Sequence, residues 1–211
     1  MDDAAMTPED LCGATLSHVA LDGAVWMGAE IDELDLDSVT LRRVRAGGGT
    51  WERCQFTGVD LDGADLAGLT TRDCGLVRTS LNDARLTGSS WLRSRWREVT
   101  AEGVQADLLS AHSATWTDVT LTGARLRQAD FSDATMLRVR FVECDLTEAR
   151  FAGLRADRVS FTGCDLAGAT GVDSLRGATL AWSDATSVLP SLAQHLGIRL
   201  TEDPDGSNAR R

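Results

Sequence analysis

Lysine and tyrosine are absent from this 211-residue chain; all 21 basic residues are arginine. That usage fits a GC-rich bacterial genome. No apolar run is long enough to span a membrane as a helix, and the acidic N-terminus lacks a signal-peptide core. A cytoplasmic protein is therefore expected, with no membrane partner. Histidine is scarce: His18, His112 and His195 stand too far apart in the repeat described below to share a metal. The glycines form neither a GxGxxG nor a GxxxxGK phosphate loop. No serine or threonine adjoins a histidine and an acid in a catalytic arrangement, and Asp60, Asp62 and Asp65 enclose nothing. Neither enzymatic activity nor a cofactor or metal is expected.

What is present is a period of five. From Leu11 to Leu166 every fifth residue is the centre of a pentad, 32 in all, without a slip. All five phenylalanines and five of the six tryptophans are centres. Two residues before each centre comes a second column, mostly Ala, Val or Cys, and two residues after it a column rich in glycine, such as Gly23, Gly63 and Gly103. A strand has period two and a helix 3.6, and five fits neither. It fits a short extended piece closed by a bend: the centre and the residue two before it face inward together, and glycine at one phase marks a corner. The chain is a solenoid. Four of the five cysteines lie in the small inward column and read as apolar fillers in a reducing compartment.

The stretches ADL (64–66), ARL (84–86 and 124–126), ADF (129–131), ARF (149–151) and CDL (144–146 and 164–166) carry the pattern A(D/N)Lxx. Over residues 11–182 the chain resembles the pentapeptide-repeat family. The resemblance implies an all-β fold, a right-handed quadrilateral parallel β-helix. Four pentads would make each coil, giving about eight to nine coils and a rod roughly 40 Å long at about 4.8 Å per coil. Residues 20 apart should then stack: Trp96 on Trp116, Phe131 on Phe151, Phe141 on Phe161, Cys54 on Cys74 and Cys144 on Cys164. The core should thin at Thr71 and at Ala101, Ala106 and Ala111, with Leu34, Leu69, Leu109 and Leu154 occupying small-column positions.

The ends differ from the rod. Residues 1–10 read as a loose leader. The phase shifts by one after Leu166, and residues 170–180 form a last irregular coil. Residues 183–200 place Leu189, Leu192, Ala193 and Leu196 at helical spacing with Gly197 as a stop, a short C-terminal helical cap over the open end. Trp182 is expected to pack that helix onto the rod, against Leu189. Residues 201–211 read as a disordered tail. Quinolone-resistance members of the family join two rods through such C-terminal elements, so Trp182, Leu189, Leu192 and Leu196 are candidate cap and homodimer residues.

The net charge of −11 disfavours nucleic acid as a direct partner. It is concentrated: residues 1–37 hold ten acids, including Glu30, Asp32, Glu33, Asp35 and Asp37, and no arginine. The side with centres 21 to 141 adds Asp22, Asp60, Asp62, Asp83, Glu102 and Glu143, interrupted by Arg42, Arg43 and Arg140. Quinolone-resistance members present carboxylate rows in place of DNA phosphates to DNA gyrase or topoisomerase IV. The resemblance therefore implies a DNA mimic that gives resistance to topoisomerase poisons, with these carboxylates as its contact surface. The alternative is an acidic solenoid scaffold that binds an unrelated protein.

Overall fold

A computed structural model describes residues 6–200; the expected tail 201–211 and the first five residues of the expected leader, with Asp2 and Asp3, lie outside them. The chain winds as a right-handed parallel β-solenoid of about eight turns ending in a short helix. Successive coils pair in parallel with a register of 20, as in Leu16↔Leu36, Trp51↔Thr71 and Phe141↔Phe161. Side one carries the centres 16 to 156, side two 21 to 161, side three 26 to 166 and side four 11 to 151. Ladders of short strands run along much of sides one and four, and along side two in the later coils. Side three is joined by single bridges from Val25↔Arg45 to Asp145↔Asp165. Two eight-residue strands, Arg95–Glu102 and Thr115–Thr122, run through the corner from side one to side two.

Burial follows the pentad. The centres and the small column form one continuous core, while the flanking positions face outward. The expected aromatic stacks are present: Trp96–Trp116 at 4.7 Å and 9°, Phe141–Phe161 at 5.0 Å and 4°, and Phe131–Phe151 at 5.6 Å and 13°. Edge contacts between neighbouring sides, such as Trp91–Trp96 at 5.2 Å, link the stacks into a spine. Such pairs contribute about 0.5–1.5 kcal/mol each beyond their burial. Ala101, Ala106 and Ala111 are buried and share their coil with the bulk of Trp96 and Leu109. Thr71 is fully buried because Ser94 meets its hydroxyl at 3.1 Å. Thus a polar centre is matched by a polar small-column residue one coil on.

Every corner from residue 13 to residue 168 has a positive φ, glycine or not. Nineteen of these 32 corners carry other residues, among them Arg43, Asp83 and Arg138, each at 54°. A left-handed non-glycine residue costs about 1–2 kcal/mol. The ladder fixes it all the same: the Asp83 N–H donates to the Glu102 carbonyl at 2.7 Å, and the Arg43 N–H to that of Asp62 at 2.9 Å.

At the N-terminal end Pro8–Leu11 forms a single helical turn (α1) in what reads from sequence as the leader, closed by a capping box between Thr7 and Asp10. At the other end the final helix (α2) spans Trp182–His195. Asp184 and Ser187 on α2 replace the missing next coil. The Cys164 N–H donates to Asp184 Oδ2 at 2.9 Å, and the Leu166 N–H to Ser187 Oγ at 3.1 Å. Val188 and Ala193 are buried and Leu192 packs partly against the core. Trp182 is a correction: it is 89 % exposed and anchors nothing on the rod. As the first residue of α2 it precedes the turn whose Asp184 is buried, and its indole stays in solvent.

Candidate protein-binding surface

Side two shows why acids recur there. In several coils the N–H of the residue after the centre is taken by a side chain one coil earlier. Asp22 Oδ1 accepts from the Arg42 N–H at 2.9 Å, Asp62 Oδ1 from the Asn82 N–H at 3.0 Å, and Asn82 Oδ1 from the Glu102 N–H at 3.1 Å. Asp22 and Asp62 therefore serve the ladder as well as the surface. Asp60 accepts from the Asp62 N–H at 3.0 Å and from Arg42 Nε at 2.6 Å. Burial pushes its carboxyl up, but these donors outweigh it and hold it below the usual carboxylate range. Asp83 and Glu143 occupy corners. Among the described residues, Asp22, Asp62, Asp83, Glu102 and Glu143 have no arginine within ion-pair distance, whereas Asp60 is paired.

The N-terminal acids lie elsewhere. Glu30 and Asp32 are on side four, Glu33 at the next corner, and Asp35 and Asp37 on side one. They form a belt around one corner of the second coil that runs across side one to the edge of side two. Arg53, one coil on, reaches across to Asp32, to Glu33 at 3.3 Å and to Glu52 at 3.7 Å. Asp32 Oδ1 is buried without a partner. Glu30, Asp35 and Asp37 have no ion-pair partner among the described residues, so the belt keeps most of its charge. Farther along the rod the acids are more evenly matched, as in Arg85–Asp65 at 3.0 Å, Arg93–Asp73 at 2.9 Å and Arg138–Asp118.

The helix α2 supplies a second surface. Trp182, Leu189 (53 % exposed) and Leu196 (69 % exposed) face solvent, as do Ile198 and Leu200, while Leu192 belongs to the inward face. Asp184 was not legible as a site residue, although one signal pointed to it: it stands 20 residues after Cys164, where the next coil would continue.

Among the described residues no three histidine, cysteine or acidic side chains gather as for a metal, and no helix is long and apolar enough to cross a membrane. His195 lies 3.8 Å from Asp173 at the C-terminal end. Cys54, Cys74, Cys144 and Cys164 are free and buried in stacked pairs. The hydrogen bond with the stacked partner and then burial push the Cys54 and Cys144 thiols up, while the same bond shifts Cys74 and Cys164 down.

Sequence profiles described as pentapeptide repeats match residues 35–68, 54–90 and 121–170, together half of the chain. No curated protein matches it. Among solved structures it is similar to HetL, a pentapeptide repeat protein involved in heterocyst differentiation regulation in the cyanobacterium Nostoc sp. strain PCC 7120. That match has 21% identity over 78% of this chain and 90% of HetL, with a TM-score of 0.38. It is also similar to a trypsin-treated variant of QnrB1, a plasmid-mediated fluoroquinolone resistance protein, with 20% identity over 88% of this chain and 99% of that one and a TM-score of 0.47. With the pentads, the register of 20 and the profiles in agreement, the chain belongs to the pentapeptide-repeat family.

Proposed function

We propose that this protein is a non-enzymatic rod that binds DNA gyrase or topoisomerase IV in place of DNA and so protects the enzyme from its poisons. The observation that carries the reading is the belt Glu30–Asp37, which stays largely unneutralised, with the unpaired carboxylates Asp22, Asp62, Asp83, Glu102 and Glu143 continuing along side two. A stiff rod with fixed negative charges steers toward a basic DNA-binding groove. The exposed apolar face of α2, with Trp182, Leu189 and Leu196, would join two copies end to end as a homodimer.

One observation favours a second reading. Side two holds six carboxylates from Asp22 to Glu143, over roughly 29 Å at about 4.8 Å per coil, and Arg42 neutralises Asp60. Duplex DNA carries a charge about every 1.7 Å, far denser. An acidic scaffold for another protein needs no such density.

A gyrase supercoiling assay with and without a fluoroquinolone separates the two. The protein should inhibit supercoiling or relieve drug-induced cleavage, and a variant with Asp22, Asp60, Asp62 and Asp83 changed to Asn should lose most of that effect. Absence of any effect at micromolar protein would leave the scaffold reading.

A further inference from the structure

This acidic protein has one basic edge. Where side one turns into side two, two outward rows run along the rod: 118, 138 and 158 at the corner, and 120, 140 and 160 just past it. Val119, Val139 and Val159 turn inward between them and are buried. The rows thus flank a groove, which widens into a notch of about 390 Å³ lined by Asp118, Thr120, Arg138, Arg140, Arg158 and Ser160. Its volume falls at the lower end of the range for small-molecule sites, about 300–1,000 Å³. The lining side chains are guanidinium, hydroxyl or carboxylate, with no apolar or aromatic residue among them.

The charges do not cancel. Arg138 holds Asp118 through two hydrogen bonds, that from Nη2 at 2.6 Å. That bond first, and then the fields of Arg138, Arg158 and Arg97, hold the Asp118 carboxyl below its ordinary range. Arg158 reaches Asp157, which does not line the notch, at 3.5 Å. Arg140 is braced by Thr120, whose Oγ1 accepts from Nε at 3.3 Å and from Nη2 at 3.1 Å. A hydroxyl orients a guanidinium without neutralising it, and among the described residues no carboxylate lies within ion-pair distance of Arg140. The same edge is basic beyond the notch. On side one from Gly75 onward, leaving out the notch residues, four arginines (Arg78, Arg95, Arg97 and Arg155) stand against the two acids Glu98 and Asp157.

We infer that this notch binds an oxyanion of the phosphate class, held by Arg140 and Arg158 with the hydroxyls of Thr120 and Ser160 as further donors. A planar guanidinium matches a phosphoryl group with two parallel N–H donors, and bonds between ionised partners are about twice as strong as neutral ones. The overall negative charge does not forbid it. The screening length is about 8 Å at physiological salt, so an anion in the notch responds chiefly to the guanidiniums beside it. Asp118 competes with the ligand for Arg138. With no aromatic or apolar wall, the notch recognises phosphoryl groups and not the base or chain that bears them. The inference is independent of topoisomerase binding, which uses other residues.

Calorimetric titration of the full chain at physiological salt tests this with inorganic phosphate, pyrophosphate and ADP. The expected result is one saturable site, tighter for pyrophosphate than for phosphate, with ADP no tighter than pyrophosphate. Arg140→Gln should weaken pyrophosphate binding about tenfold, or about 1.4 kcal/mol. Asp118→Asn should strengthen it several-fold. Asp73→Asn on side four, which changes the net charge equally, should leave it unaltered. Melting temperatures of the variants establish that each is folded. No saturable binding in the millimolar range, unaltered binding by a folded Arg140→Gln, an equal gain from Asp73→Asn, or markedly tighter ADP would each overturn the inference.

Discussion

The tryptophan centres differ in one atom's fortune. Trp91 donates its indole N–H to Ser89 Oγ at 3.1 Å, while the indole nitrogens of Trp51, Trp96 and Trp116 are buried without partners. Ser89 stands two residues before Trp91; Ser94 holds the same place before Trp96, but its hydroxyl meets that of Thr71 instead. Ser89→Ala should therefore leave the Trp91 N–H unpaired and destabilise the protein by about 1–3 kcal/mol, seen as a fall in melting temperature. An unchanged melting temperature would mean that the Trp91 bond adds nothing to the core. Which residues face inward was legible in the sequence because a strict period leaves them no alternative. The backbone at the corners was legible only where glycine marked it. Arg43, Asp83 and Arg138 adopt the same left-handed geometry because the ladder imposes it, and nothing in those side chains announces it.

At the scale of elements, the terminal helix decides how the rod ends. Asp184 is 3 % exposed and accepts from the Cys164 N–H, so Asp184→Ala leaves a buried donor unpaired. The expected cost is about 1–3 kcal/mol, with faster hydrogen exchange confined to α2 and the last coil. Uniform loss of protection over the whole rod would contradict that local role. The outward face makes a different prediction. Changing Trp182, Leu189 and Leu196 together to Ser should convert a sedimenting dimer to monomer without lowering the monomer's stability, since these side chains leave the core untouched. An unchanged sedimentation coefficient would exclude this face as the joint. The helix itself was readable from its leucine spacing, but the exposure of Trp182 was not. The pentad phase breaks before residue 180, and past that break the sequence no longer says which way a side chain points.

For the whole molecule, charge placement carries the functional account. The sequence located the acidic N-terminal coils, and the register of 20 was needed to see that Glu30, Asp32, Glu33, Asp35 and Asp37 wrap a corner and run across side one toward the side with Asp22, Asp60 and Asp62. The basic edge at Arg138, Arg140 and Arg158 was hidden in a stretch whose total charge is near zero, because opposite charges twenty residues apart in register look mixed along the chain. A rod with an acidic belt near its first coils and an arginine notch near its last has a built-in direction. The direct test of the central claim is competition: the affinity of gyrase for a DNA duplex, measured while this protein is titrated in. A mimic raises the apparent Kd for DNA in proportion to its own concentration, with displacement complete at saturation. A ternary complex of gyrase, DNA and this protein, or an unchanged affinity for DNA, would contradict the account.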